Sequence, residues 1–387
     1  MRSAEEPMNA RERLMTVLRS KGRADRIPWS PLLDGYFMSS YSEEKDIIDA
    51  YRDFGADVME RHVLGWRSSL GRRRERDLLG TEPTNTASFE EAGVRVTLET
   101  RSHEKGRLLT RSYEIPGRRL TSAFLYTETS PYIPFPVERL IKTVEDLEAY
   151  RYVKLRESYT AEYERFLRED RRIGDAGIAT ESGPTSPIQE LLQILIGVEP
   201  FYMTFYTDHL AELESLMEVM HEKNMEAYGI LAASPAEVII DYENTSTTLA
   251  SPDIYGRHSL QQINAYADIL HERHKVFLTH RCGTLKGLVP LLQEGRDDGI
   301  VDINPPPTGN LGLREAAEAM PDKVVMGGLD PTVLARWSVE RVVDHVREML
   351  RPLRASGAVI LGSGDAVPMD ARRENLRAIG DVVREDA

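Results

Sequence analysis

Short apolar runs that alternate with longer segments of helical spacing are the feature that most limits how this chain can fold. Strands that alternate with helices form βαβ units and a parallel sheet. Eight such runs occur in 387 residues. This number favours one closed (β/α)8 TIM barrel, a fold that typically takes about 250 residues. The predicted strands are Ile27–Pro31, Asp57–Glu60, Gly177–Glu181, Val238–Tyr242, Val276–His280, Gly299–Ile303, Val324–Gly327 and Ala358–Leu361.

A different pattern lies between the second and third predicted strands. Val94–Thr100, Arg107–Ile115 and Leu120–Tyr126 alternate apolar and polar residues, and glycine-containing turns separate them. Such alternation is typical of an antiparallel meander with one solvated face. We therefore predict a single barrel over residues 1–387, with an antiparallel β-rich segment inserted at roughly residues 81–135.

Charge and cysteine content limit the partners and the compartment. The formal net charge is −14 and is spread along the chain, which repels nucleic-acid phosphates and anionic membrane surfaces. No apolar run approaches the roughly 18 residues that a membrane-spanning helix needs. Cys282 is the only cysteine, so no intrachain disulfide can form, which suits a reducing cytosol. We expect a cytoplasmic protein that can form a homodimer. We expect no nucleic-acid or membrane partner.

Polar residues end several of the predicted strands, and barrel enzymes carry their chemistry at the carboxyl ends of the strands. These residues are Asp241, Glu243, His280, Cys282, Asn304, Asp330 and Asp365. We predict that Asp241, Asn304 and Asp330 line one cavity as acid–base or positioning groups. For Asp330 the alternative is a helix N-cap, because Asp-Pro often begins a helix.

The pair His280 and Cys282 is a candidate metal site. Residues at a spacing of two point to the same side of an extended segment, so both side chains can face one point. An imidazole and a thiolate suit Zn²⁺, and a catalytic zinc has three protein ligands and one open position. The alternative is a buried cysteine beside a hydrogen-bonded core histidine.

Two further positions are candidates for contact with a ligand or cofactor. Tyr36 lies in the aromatic stretch Trp29–Tyr41, which could form a lid over the pocket, and ordinary packing on the barrel is the alternative. Gly183 follows the third predicted strand. Backbone without a side chain can approach a ligand closely there, or simply turn.

Several stretches of the sequence resemble proteins of the uroporphyrinogen decarboxylase superfamily. They are Asn9–Trp29, Leu249–Asp253, His280–Gly283, Gly328–Pro331 and Gly362–Asn375. The resemblance covers nearly the whole chain and implies a (β/α)8 barrel. It is closer to the zinc- and corrinoid-dependent methyltransferases than to the decarboxylases, because no arginine lies between Arg26 and Arg52, where the decarboxylases carry an arginine-rich segment.

The resemblance also implies a ligand set for the metal. Methylcobamide:thiol methyltransferases bind zinc through a His-x-Cys pair, which His280 and Cys282 match, and through a second cysteine, whose expected place falls near Ser363. Glu243 or Asp365 is then the third ligand. We favour Glu243, because the fourth strand adjoins the fifth and related O-demethylases pair a glutamate with the histidine. A carboxylate in place of a thiolate makes zinc a stronger Lewis acid, which suits a methyl ether.

The expected function is transfer of a methyl group from a small methylated donor, a methyl ether, to a cobamide. The usual Asp-x-His-x-x-Gly corrinoid signature is missing from the sequence, so a separate corrinoid protein would carry that cofactor. Zinc and cobamide are the expected cofactors. The alternatives are a uroporphyrinogen decarboxylase-like lyase for a small carboxylate, a methylcobamide:thiol methyltransferase, or a barrel that has lost its metal and serves as a binding protein.

Overall fold

A computed structural model describes residues 7–41, 46–71, 84–128 and 130–385 of the chain. In chain order the strands are β1 (Val58–Val63), β2 (Trp66–Ser68), β3 (Asn85–Glu91), β4 (Val94–His103), β5 (Gly106–Ile115), β6 (Arg118–Thr127), β7 (Ser130–Glu138), β8 (Tyr159–Ala161), β9 (Gly177–Gly183), β10 (Val238–Asp241), β11 (Val276–His280), β12 (Gly299–Ile303), β13 (Val324–Leu329) and β14 (Val359–Ser363). The helices are α1 (Ala10–Ser20), α2 (Gly35–Tyr41), α3 (Ile47–Asp53), α4 (Val144–Arg156), α5 (Glu164–Ile173), α6 (Pro187–Glu190), α7 (Val198–Pro200), α8 (Leu210–Ala232), α9 (Pro252–His258), α10 (Leu260–His271), α11 (Val289–Glu294), α12 (Leu313–Ala319), α13 (Pro331–Arg336), α14 (Val339–Leu350) and α15 (Arg373–Glu385).

The chain forms two compact units, and the first contains a parallel sheet. This unit combines the described residues of Met1–Leu64, Tyr163–Gly183 and Ala232–Ala387. Seven strands pair in the order β1-β9-β10-β11-β12-β13-β14. Their order in the sheet is their order along the chain, as expected for successive βαβ units. The prediction of a parallel α/β architecture is confirmed, and each of the seven strands begins within one residue of its predicted start.

Side chains from all seven of these strands meet in one hydrophobic cluster. Its members include Met59, Ile178, Ile240, Leu278, Val301, Met326 and Ile360, one from each strand, with Leu14, Val17 and Leu18 of α1 packed among them. In a flat sheet the outer strands would lie about 29 Å apart, six strand spacings of about 4.8 Å. The sheet therefore curls around the cluster, as a barrel wall does.

The first predicted strand, Ile27–Pro31, does not form a ladder with the sheet. Trp29 makes a single parallel bridge with Leu361 of β14, and its carbonyl accepts a hydrogen bond of 2.7 Å from the Asp57 N–H just before β1. Two of the five residues in the segment are prolines, which have no N–H to donate to a ladder. An eighth strand, and with it the complete (β/α)8 barrel, stays a prediction.

The second unit contains the antiparallel strands. It combines the described residues of Gly65–Glu162 and Pro184–Leu231. Five strands pair in the order β3-β4-β5-β6-β7, each with the next along the chain, which is a meander. The three predicted strands correspond to β4, β5 and β6, and β3 and β7 extend the meander on either side.

The longest described helix, α8, carries five glutamates among its 23 residues. No helix within the described ranges is both long enough and apolar enough to span a bilayer.

Candidate metal centre

The predicted metal pair lies at the carboxyl end of β11 in the first unit. His280 is the last residue of the strand, and Cys282 follows two residues later. Together with Asp365, two residues beyond β14, they bring an imidazole nitrogen, a sulfur and a carboxylate oxygen within 4.8 Å of one another. In the part of the chain that the structure describes, no other three His, Cys, Asp or Glu residues converge in this way. Tetrahedral zinc separates its ligand atoms by about 3.3–3.8 Å, so the donor set fits one such ion.

Asp302 holds the ring of His280. The Nδ1 atom of His280 lies 2.6 Å from Asp302 Oδ2, so Nε2 is the ring nitrogen left for a metal. Tyr242 packs beside the ring, with the two ring centroids 5.3 Å apart. Metal-binding histidines usually donate their second ring N–H to a carboxylate in this manner. The environment of His280 therefore also fits a metal ligand.

Arg61 lies on the other side of the same carboxylate. Its NH1 atom is 2.9 Å from Asp302 Oδ1 and 2.7 Å from Oδ2, and both side chains are completely buried. Burial raises the pKa of Asp302, but the charge of Arg61 and the hydrogen bond from His280 outweigh it and hold the pKa below its usual range. Asp302 is therefore a carboxylate that can accept the Nδ1 hydrogen of His280.

The protonation of His280 depends on the same contacts. Burial lowers the pKa of His280, whereas hydrogen bonds to Asp302 and Cys282 raise it, and the result is a pKa of about 10. An imidazole that binds a metal must be neutral at the coordinating nitrogen. Metal binding therefore releases a proton and weakens as the pH falls.

Asp365 completes the group of three, whereas Glu243, which we favoured from the sequence, is not a member of it; the identity of the third ligand stays a prediction. Glu243 and Asp241 instead lie near Arg281, whose charge interacts with both carboxylates. Ile240 faces the hydrophobic cluster inside the sheet, and alternation along the strand turns Asp241, its last residue, to the opposite face. The predicted place of Asp241 in one cavity with Asn304 and Asp330 stays a prediction.

Asn304 is buried beside the loop that carries Asp365. Its Nδ2 atom donates a hydrogen bond of 2.7 Å to the carbonyl of Gly364. A Cβ atom at residue 364 would lie only 2.0 Å from Asn304 Oδ1, so the close approach requires glycine there. Of the two predicted roles, this geometry favours positioning.

Asp330 is the N-cap residue of α13. Its Oδ1 atom accepts a hydrogen bond of 2.9 Å from the N–H of Thr332, in the first turn of α13. Its Oδ2 atom accepts one of 3.0 Å from the N–H of Thr308. Both oxygens therefore accept hydrogen bonds from backbone N–H groups, and the bond to Thr332 supports the N-cap alternative; the acid–base or positioning role of Asp330 stays a prediction.

The two predicted ligand contacts lie at strand and helix ends. Tyr36 is half-buried near the start of α2, and the buried aromatic residues of that helix, Phe37 and Tyr41, pack against Phe54. Gly183 is the last residue of β9 and pairs with Asp241. Contact of Tyr36 or Gly183 with a ligand stays a prediction.

Three buried charged residues were missed from the sequence. Arg61 lies one residue beyond the predicted end of the second strand, and Asp302 lies within the sixth. Arg281 lies between the two candidate ligands, and its guanidinium donates to Thr279 and Thr245 at 3.0 and 2.9 Å. Charged residues within otherwise apolar strands are the signal that could have indicated them.

The family model for uroporphyrinogen decarboxylase (URO-D) matches residues 123–386, which is more than half of the chain. The chain belongs to the uroporphyrinogen decarboxylase family. Family membership confirms the resemblance inferred from the sequence. A comparison with curated proteins finds no match.

Solved structures similar to this family member include a methyltransferase from Methanosarcina mazei. The two chains share 13% sequence identity with a TM-score of 0.59, and the alignment covers 98% of this chain and 99% of the other. A D-psicose 3-epimerase from Clostridium cellulolyticum H10 aligns at 8% identity and a TM-score of 0.32, over 63% of this chain and 83% of the other. The first likeness shows a shared fold, and the second supports no argument.

Proposed function

We propose that this member of the uroporphyrinogen decarboxylase family is a corrinoid-dependent methyltransferase. It would move a methyl group from a small methylated donor, such as a methyl ether, to a cobamide that a separate corrinoid protein carries. The observation that carries the proposal is the convergence of His280, Cys282 and Asp365 at the carboxyl ends of β11 and β14. The Methanosarcina mazei methyltransferase shares the fold, which is compatible with this activity.

The donor set favours zinc with a marked Lewis acidity. His280, Cys282 and Asp365 would hold the ion and leave one position open for the donor. When bound, zinc would withdraw electrons from the donor atom that loses the methyl group. With one thiolate and one carboxylate, the site is harder than a site with two thiolates, which suits an oxygen donor better than a sulfur one.

The residues of the site bind and orient the donor but supply no methyl acceptor. Cys282 is the only thiol in the chain, and the proposal assigns it to the metal. An ether methyl group needs a very strong nucleophile, and cob(I)amide is one. We therefore place the acceptor on a partner protein that meets this face of the barrel.

The test of the proposal is methyl transfer with purified chain, zinc, a panel of methylated ethers, amines and thiols, and cob(I)alamin as acceptor. Methylcob(III)alamin should form with a methyl ether, and no product should form without the cob(I)alamin. His280→Ala and Cys282→Ala should each abolish transfer, because each removes a metal ligand.

Circular dichroism of both variants supplies the control, since ligands at a strand end contribute little to the buried layers of the barrel. Release of carbon dioxide from a porphyrinogen or a smaller carboxylate, with no methyl transfer to cobalt from any donor, would overturn the proposal. Methyl transfer from methyl thioethers alone, with the thiolate as the leaving group, would instead favour a methylcobamide:thiol methyltransferase, whose reaction this assay runs in reverse.

A further inference from the structure

Strand β12 contains an irregularity where it pairs with β13. Ile300 lies opposite Val325, but Ile303 lies opposite Gly327, so β12 has one more residue than its partner over this stretch. Asp302 falls within the stretch and has a φ of +67°. The extra residue makes this a β-bulge, and bulges redirect side chains.

The bulge changes the face of the sheet to which Asp302 points. Val301 belongs to the cluster inside the curled sheet, so regular alternation would turn the next side chain to the outer face. Asp302 instead contacts Arg61 and His280. The NH2 atom of Arg61 lies 3.5 Å from the Sδ atom of Met326, a member of the same inner cluster, and His280 follows Leu278, another member, by two positions. The left-handed backbone therefore brings a carboxylate to the inner face.

The left-handed backbone of Asp302 and its buried ion pair with Arg61 are not the arrangement that would stabilise the fold most. A left-handed conformation is unfavourable for a residue with a side chain, although Asp tolerates it better than most. Apolar residues in place of a buried ion pair are often as stable or more stable. The bulge and the ion pair supply one contact that a regular strand or a pair of apolar residues would not. It is the hydrogen bond of 2.6 Å between Asp302 Oδ2 and His280 Nδ1.

We infer that Arg61 and Asp302 form a positioning pair, which fixes the ring of His280 with Nε2 directed to the metal position. Asp302 accepts the Nδ1 hydrogen, so the coordinating lone pair is on Nε2. Arg61 fixes the carboxylate and keeps it charged. The inference rests on the proposed zinc site but concerns residues that do not themselves bind the ion.

The test is the zinc affinity of the full chain, measured by competition with a chromophoric chelator. Asp302→Gly removes the carboxylate and keeps a residue that adopts a φ of +67° without strain. The expected Kd for zinc rises about 10–100-fold, as is usual when such a partner is lost. Asp302→Asn, which keeps an oxygen for Nδ1–H, should bind more tightly than Asp302→Gly.

Two further variants separate positioning from folding. Asp302→Gly leaves Arg61 buried without its carboxylate, so the double variant Arg61→Met/Asp302→Gly removes the charge as well and should show the same raised Kd. Asp57→Asn is the matched control, because Asp57 is a buried carboxylate paired with Arg13 and Arg26 just before β1. It should lose stability and keep the wild-type Kd.

Nitrogen-15 spectra of the imidazole in the zinc-loaded protein give a second measurement. His280 should carry its proton on Nδ1 in the wild type, and this signal should weaken or shift in Asp302→Gly. Wild-type affinity and an unchanged signal in Asp302→Gly would overturn the inference and leave the proposed function standing. A wild-type chain that binds no zinc would overturn the proposed function, and the inference with it.

Discussion

At the scale of single residues, the site is decided by which face of the sheet each side chain occupies. His280 and Cys282 share a face because they are two residues apart. Glu243 is as close in sequence to its strand end as Asp365 is, yet only Asp365 joins the group. The resemblance to methylcobamide:thiol methyltransferases would put a second cysteine near Ser363. The hydroxyl of Ser363 accepts a hydrogen bond from the N–H of Leu32.

Substitution of the two carboxylates should show which of them is the third ligand. Asp365→Ala removes a candidate ligand atom. We expect zinc affinity to fall by at least about 10-fold, because loss of a ligand weakens binding more than loss of a residue that only hydrogen-bonds a ligand. Glu243→Gln changes a residue that is not in the group, so it should leave zinc affinity unchanged. Chelator competition measures both, and weaker binding in Glu243→Gln alone would assign the third ligand to Glu243, as the sequence favoured.

At the scale of elements, β9 combines a strand pattern with a buried acid. All but the last of its seven residues are buried, and Glu181 is among them, on the outer face of the sheet by alternation from Ile178. Burial raises the pKa of Glu181 to about 7, although Lys275 acts in the opposite direction. A carboxyl group in this strand is therefore more easily accommodated when it is neutral.

This pKa predicts a pH-dependent stability. The pKa of Glu181 in the folded protein lies above its unfolded value of 4.5. Protonation of Glu181 therefore contributes its full amount to the free energy of unfolding below pH 4.5, and this contribution is lost as the pH rises through about 7. Glu181→Gln cannot ionise and should be more stable than the wild type at pH 8, by up to about 3 kcal/mol. At pH 5 the two should be nearly equal. Urea denaturation at both pH values measures the difference, and an equal gap at pH 5 and pH 8 would contradict the assignment.

At the scale of the whole molecule, two compact units with separate sheets make up the described chain. The candidate ligands and the positioning pair all lie in the unit with the parallel sheet. A ligand that binds only the folded state stabilises that state in proportion to its concentration over its Kd. Zinc bound at the proposed site would therefore stabilise the unit that contains it.

Zinc should raise the thermal midpoint of the wild type. At a concentration 100 times the Kd, the expected stabilisation is about 2.7 kcal/mol. His280→Ala should show no such rise, because it has lost a ligand. Differential scanning fluorimetry of chelator-treated protein, with and without added zinc, measures the effect. An equal rise in the variant would place zinc at another site.

The sequence by itself determined the parallel α/β architecture, the meander and the closeness of His280 and Cys282. Each depends on local periodicity or on a spacing of two residues, and these are properties of the sequence that do not depend on tertiary contacts. Tertiary structure decided the rest, because it depends on strand pairing. Asp365 joins His280 only when β14 and β11 curl to one cluster. Asp302 reaches the same histidine because an extra residue and a left-handed backbone in β12 reverse the alternation that the sequence pattern assumes.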